Sequence, residues 1–203
     1  MKILAALPLV AALAAAFPLA AHADDDGLDP AKVKAFDTRV FAGPIGEKAS
    51  ACFVRHYDAS HLAQHPKQKV RSMKLLVTAE NKPKEPTSYA YKIGVQFRNK
   101  PGNFDGASSC GHMVDEDGNK DIRFTCNVEC DGGGLDIAMS KDNKSAIVHL
   151  EVIGIWDRKH PDRDGIPLEG GADDKVFRVN RVDNSECAEL MTDHEEVASL
   201  QRK

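Results

Sequence analysis

The chain has 203 residues, with 27 Lys or Arg against 31 Asp or Glu, so its formal net charge at pH 7 is −4. A mildly acidic chain does not attract polyphosphate by its overall field, and the sequence has no basic cluster with interleaved aromatic residues. We therefore expect no nucleic-acid partner. The length suits one domain with a sizeable core, since single domains commonly have ~50–250 residues.

The N-terminal residues have the layout of a cleavable secretory signal. Lys2 precedes a long apolar run, and the triplet Ala21-His22-Ala23 suits a signal peptidase. This layout predicts a signal peptide over residues 1–23, with an Ala-rich composition typical of bacterial export. A membrane anchor is the weaker alternative, because the run is Ala-rich, is interrupted by Pro8 and Pro18, and ends in a cleavage-type triplet. No later segment approaches the ~20 apolar residues that a span needs. We expect a soluble periplasmic or secreted protein with no membrane span in the mature chain.

Residues 24–50 are expected to be partly helical. Asp29 and Pro30 suit the N-cap and the first position of a helix. The apolar residues that follow recur at the spacing of one helical face: Val33, Phe36, Val40 and Phe41.

Beyond residue 50 the apolar residues recur with a period of two, which is typical of half-buried strands. In the clearest run, YAYKIGVQFR, one face carries Tyr89, Tyr91, Ile93, Val95 and Phe97. Seven further runs lie near residues 52, 73, 104, 122, 135, 146 and 176. The run near residue 146 continues through Val152. Most connections are short and rich in Gly, Asn and Asp, a spacing that predicts antiparallel hairpins.

The sequence therefore predicts a mainly β fold, a single antiparallel meander of about eight strands with short N-terminal and C-terminal helical segments. A meander must hide its edge strands, and closure into a barrel does this completely. A barrel is the predicted form, with a β-sandwich as the alternative. The β-domain with its terminal helix covers residues 51–191, a polar loop over residues 157–174 precedes the last strand, and residues 192–203 form a polar tail.

The stretch FTCNVECDGGGLDIAMS, residues 124–140, resembles a functional motif but favours a turn. On an extended strand Cys126 and Cys130 lie ~13 Å apart, too far for a disulfide between them. A phosphate-binding loop needs glycines that lead into a helix, whereas these lead into a period-two strand. We expect a hairpin turn at Asp131-Gly132.

Five cysteines in an exported chain predict two disulfides and one leftover thiol. If a three-residue loop centred on Gly118 joins their strands, Cys110 and Cys126 lie opposite each other. Cys52 begins the strand region and Cys187 follows it, so closure of the barrel would bring these two together. Cys130 is then the odd thiol.

The histidines are the strongest remaining functional signal. His56, His61 and His65 lie close together in sequence, and on a helical turn His61 and His65 would share a face. Two such imidazoles can bind zinc or copper, although a third ligand is required. The alternative without a metal is a polar connecting turn capped by Asp58 or Ser60. His112 and His149 lie within strand patterns, and we assign neither a catalytic role.

Two functions follow from these patterns. The first is a non-enzymatic envelope protein that binds a small apolar ligand or a partner protein. The alternative is a metal-binding or metal-dependent protein that uses the three histidines. No catalytic residue is predicted, because the sequence has no nucleophile motif such as Gly-x-Ser-x-Gly. The interior aromatic residues either fill the barrel or line a pocket: Tyr89, Tyr91, Phe97 and Phe124.

Overall fold

The computed structural model describes residues 28–114, 121–127 and 133–201. The expected signal peptide, the loop around Gly118, the turn at Asp131-Gly132 and Cys130 lie outside the described residues. The strands are β1 (Lys48–His56), β2 (Val70–Glu80), β3 (Ser88–Phe97), β4 (Phe104–Val114), β5 (Ile122–Asn127), β6 (Gly134–Met139), β7 (Ser145–Leu150), β8 (Val152–Asp157), β9 (Ile166–Glu169) and β10 (Val176–Val182). The helices are α1 (Pro30–Phe41), α2 (Ala59–Gln64), a 3₁₀ helix (Asn184–Leu190) and α3 (His194–Gln201).

Eight of these strands form a closed antiparallel barrel in the order β1-β2-β3-β4-β5-β6-β7-β10, and β10 pairs back onto β1. Successive strands are neighbours, as expected of a meander. The predicted barrel is confirmed, and the β-sandwich alternative is not needed. The eight strands are the eight period-two runs of the sequence, because the alternation places one face of each strand inside the barrel.

The hairpin β8–β9 lies between β7 and β10 and is not predicted by the sequence pattern. The run expected to continue through Val152 breaks at Glu151, and β9 lies within the segment that we expected to be a polar loop. The start of β4 pairs with the end of β8, through Phe104 opposite Asp157 and Asp105 opposite Trp156. β9 is short and contains Pro167, and both features make a strand difficult to predict from the sequence pattern.

Large side chains fill the interior of the barrel. Each of the following is at most 2% exposed: Phe53, Met73, Leu75, Tyr91, Ile93, Phe124, Ile137 and Phe177. Tyr89 and Phe97 are partly buried and pack against the same cluster. Tyr91 and Phe124 therefore belong to a packed core, whereas Tyr89 and Phe97 each also line a cleft. We look for a binding site among the clefts rather than inside the barrel.

The helix α1 covers one end of the barrel. Asp29 caps its first turn by accepting a hydrogen bond from the backbone N–H of Ala31, as the sequence predicts. The Phe36 ring lies edge-on to Phe124, with 5.0 Å between centroids. At the other helix end, the Arg181 guanidinium donates to the main-chain carbonyl of Val40 at 2.8 Å. The β8–β9 hairpin packs on the opposite end through its buried isoleucines and leucine: Ile153, Ile155 and Leu168.

The C-terminal segment packs on the outside of the barrel. Asp183 caps the 3₁₀ helix, and α3 lies within the segment that we described as a polar tail. Both predicted disulfide pairings are present, Cys52–Cys187 and Cys110–Cys126. The first bridge fixes the 3₁₀ helix to the outer face of β1, within a second apolar cluster that includes Leu76, Leu190 and Leu200. Within residues 28–114, 121–127 and 133–201, no helix is long and apolar enough to cross a membrane.

The tyrosines of this fold predict a loss of stability at alkaline pH. Burial raises the pKa of Tyr91 to about 12 and also raises the pKa of Tyr57, while burial and Asp37 raise the pKa of Tyr89. Above pH 10 an unfolded tyrosine loses its proton and the folded one keeps it. These residues therefore contribute stability that is fully present below pH 10 and is lost as the pH rises from 10 towards 12.

We expect the free energy of unfolding to fall over this pH range in urea titrations, with phenolate absorbance appearing as the protein unfolds. Tyr91→Phe should make the fall shallower, because the variant has no phenolic proton to lose at this position. Comparison with wild type at each pH removes the contribution of the lysines. If the free energy of unfolding falls equally steeply with pH in Tyr91→Phe and in wild type, the role given to Tyr91 is wrong.

Candidate ligand-binding site

The histidines of the predicted metal site lie near one another but have separate partners. His56 Nδ1 lies 2.9 Å from Ser72 Oγ, and His61 Nε2 lies 3.0 Å from Gln68 Oε1. His65 stacks on His61 with 4.3 Å between ring centroids. Asp58 caps α2 by accepting a hydrogen bond from the backbone N–H of His61, as expected if this segment is a polar connecting turn.

The ring contacts of these histidines do not assemble a metal centre. The His61 and His65 rings are stacked at 26° to each other, and His61 Nε2 already contacts Gln68. Across the parts of the chain that the structure describes, no group of three His, Cys, Asp or Glu side chains could hold a metal ion. A zinc or copper site at these histidines stays a prediction that would require the rings to turn.

A buried polar network at the α1 end of the barrel is absent from the sequence predictions. One carboxylate oxygen of Asp37 lies 2.8 Å from His112 Nε2, and the other accepts a hydrogen bond from the Tyr89 hydroxyl at 2.8 Å. The Asp37 and His112 side chains are only 11% and 9% exposed. The rings of Phe36 and Phe124 pack against His112.

The Asp37 network joins α1 to the barrel. Its three members come from α1, β3 and β4, and both oxygens of Asp37 are engaged, so the buried polar groups satisfy one another. A cleft of about 620 Å³ lies beside it, lined in part by Leu28, Val33 and Ile45. Two signals in the sequence indicate this network. Asp37 follows Val33 by four residues on an otherwise apolar helix face, and His112 lies in the inward phase of β4.

Trp156 is the most conspicuous exposed side chain of the β8–β9 hairpin. This residue is the single tryptophan of the chain, and 44% of its surface is exposed. Its ring lies against Gly154 and Gly165, where a Cβ atom would stand 2.9 Å from Cη2 and 2.7 Å from Cε2, respectively. Because neither glycine has a side chain, the ring can lie flat across the hairpin.

Trp156 forms part of the wall of two clefts. The first, which we call the Trp156 cleft, has a volume of about 340 Å³. Its described lining residues are all apolar or glycine: Ala107, Gly133, Val152, Ile153, Gly154, Trp156, Gly165, Ile166 and Pro167. The second cleft, of about 410 Å³, has a charged lining that includes Asp105 and Arg158. These two side chains form a bidentate pair with N–O distances of 2.6 and 2.7 Å.

The described lining of the Trp156 cleft suits the binding of an apolar molecule. None of the nine lining residues that the structure describes has a titratable side chain, a hydroxyl or a thiol. A ligand would meet the indole face, aliphatic side chains and main-chain groups, a combination typical of small-molecule sites. Comparison with known protein families, with curated proteins and with solved structures gives no match.

Proposed function

We propose that this protein is a non-enzymatic binding protein that holds a small apolar ligand in the Trp156 cleft. The observation that carries the proposal is the exposed tryptophan in a concave, uncharged surface. A contiguous apolar patch in a groove marks a binding surface, and tryptophan is enriched at such surfaces. The packed interior supports an external site, because large buried side chains occupy the space inside the barrel.

The proposal places the protein in the cell envelope or outside the cell. Its two disulfides fit an oxidising compartment, where such bridges form and persist. The expected signal peptide over residues 1–23 would deliver the chain there. A ligand carrier in this compartment needs no cofactor, and its ligand would exchange directly with the surrounding medium.

The test uses the single tryptophan as a reporter. Titration with decanol, an uncharged apolar probe, should shift Trp156 emission to shorter wavelength and saturate, because the probe removes water from the indole. Gly165→Ala places a Cβ atom where it would stand 2.7 Å from Trp156 Cε2, and so displaces the ring. We expect at least a tenfold loss of affinity in this variant, which is about 1.4 kcal/mol.

Val176→Ala is the matched control, because Val176 is an apolar side chain of similar exposure, 50%, outside the cleft. Its affinity for decanol should equal that of wild type. Trp156→Ala has no tryptophan to report on binding, so its affinity for decanol is measured by calorimetry. This variant should also bind decanol at least tenfold more weakly than wild type. Absence of saturable binding in the wild type, or full binding by Trp156→Ala, contradicts the proposal.

A further inference from the structure

A further cleft shares two lining residues of β9 with the Trp156 cleft. We call it the Phe97 cleft; its volume is about 280 Å³. Its lining consists of Lys69, Phe97, Arg98, Asn99, Lys100, Ile166 and Pro167. Ile166 and Pro167 also line the Trp156 cleft, so these two residues of β9 form a border common to both clefts. A single elongated ligand that passes over this border would contact both.

The Phe97 cleft is cationic. Three of its lining residues are Lys69, Arg98 and Lys100, and none of the lining residues that the structure describes is acidic. The pairing of β2 with β3 places Lys69 beside Arg98, because Val70 lies opposite Phe97 and the Arg98 N–H donates to the Lys69 carbonyl, and Lys100 follows two residues later. Like charges that line one cleft repel one another, and an anion between them would relieve the repulsion.

The described part of the chain does not neutralise these cations with carboxylates in ion pairs. Arg98 Nη1 donates to main-chain carbonyls, the nearest being that of Leu62 at 3.2 Å. Lys100 Nζ stands 4.9 Å from the centre of the Phe104 ring. The buried Asp174 lies near Lys69, but its carboxylate accepts hydrogen bonds from the backbone N–H groups of Lys69 and Val70.

We propose that the ligand is a small amphipathic anion, such as a medium-chain carboxylate. Its apolar part occupies the Trp156 cleft, and its charged group lies in the Phe97 cleft among Lys69, Arg98 and Lys100. This inference rests on the proposed function, and it adds the charge complementarity that selects the ligand class. The planar guanidinium of Arg98 suits a carboxylate, and the lysines supply further positive charge.

The experiment compares decanoate with decanol, two probes that share an alkyl chain and differ in charge. In wild type at low salt we expect decanoate to bind at least tenfold more tightly than decanol, by Trp156 fluorescence. The double variant Lys69→Met/Lys100→Met keeps both aliphatic stems and removes two charges. It should lose this preference and retain the affinity for decanol. Added salt should weaken the binding of decanoate by wild type but not by Lys69→Met/Lys100→Met.

The control variant Lys32→Met/Lys141→Met removes two exposed charges elsewhere and should keep the preference for decanoate. Equal binding of the two probes by wild type overturns the anion inference and leaves the apolar site intact. Binding of neither probe overturns the proposed function itself. Wild type should not co-sediment with phosphatidylcholine vesicles that contain phosphatidylglycerol. Co-sedimentation abolished by Lys69→Met/Lys100→Met would instead assign the cationic cleft to a lipid surface.

Discussion

Replacement of both cysteines of the Cys52–Cys187 bridge by alanine is expected to lower the free energy of unfolding by about 5 kcal/mol in the chain-entropy model. The bridge joins residues 135 positions apart, so its loss frees almost the whole barrel in the unfolded state. It also fixes the 3₁₀ helix to β1, and both cysteines are fully buried. Alanine keeps the positions apolar, so the measured loss reports mainly on the cross-link.

The second bridge provides an internal control. Cys110 and Cys126 are only 16 positions apart, and the same model gives about 3 kcal/mol for the loss of their cross-link. Both double variants are compared in a Cys130→Ser background, which prevents exchange with the odd thiol. Urea unfolding at neutral pH gives the two values. A larger loss for Cys110→Ala/Cys126→Ala than for Cys52→Ala/Cys187→Ala contradicts the entropic interpretation.

The barrel and its bridges follow from the sequence because their signals are local and repeated. A period-two run fixes which side chains face inward, and short turns fix which strands are neighbours. Closure then follows from the need to hide edges, and it places the first and last strands side by side. The pairing of Cys52 with Cys187 is a consequence of that closure, and the pairing of Cys110 with Cys126 is a consequence of strand register.

The candidate site is less predictable, because distant segments create it. The cleft around Trp156 depends on a hairpin whose second strand is four residues long and contains Pro167. The sequence spacing predicts that the histidines lie near one another. It does not predict their hydrogen-bond partners, which are Gln68 for His61 and Ser72 for His56. Asp37 and His112 are 75 positions apart and meet only when α1 covers the barrel. Each residue has its own signal in the sequence, but no local pattern links the two.

The second large expected effect is a loss of stability when Asp37 is replaced. Asp37→Ala removes the acceptor shared by the Tyr89 hydroxyl and His112, and leaves the buried His112 ring and the partly buried Tyr89 without this partner. An unsatisfied buried group costs about 1–3 kcal/mol, so we expect the free energy of unfolding to fall by about 2–4 kcal/mol. Asp29→Ala, which removes the exposed cap of the same helix, should cost only about 1 kcal/mol.

The comparison of these two variants separates a buried network from ordinary helix capping, since each removes one aspartate from α1. Urea unfolding supplies both values. Addition of Tyr89→Phe to Asp37→Ala should restore part of the lost stability, because the orphaned hydroxyl is then removed as well. Strict additivity of the two substitutions, or a loss for Asp37→Ala no larger than that for Asp29→Ala, contradicts the view that Asp37 anchors α1 to the barrel. Partial restoration would identify the unsatisfied Tyr89 hydroxyl as one source of the instability.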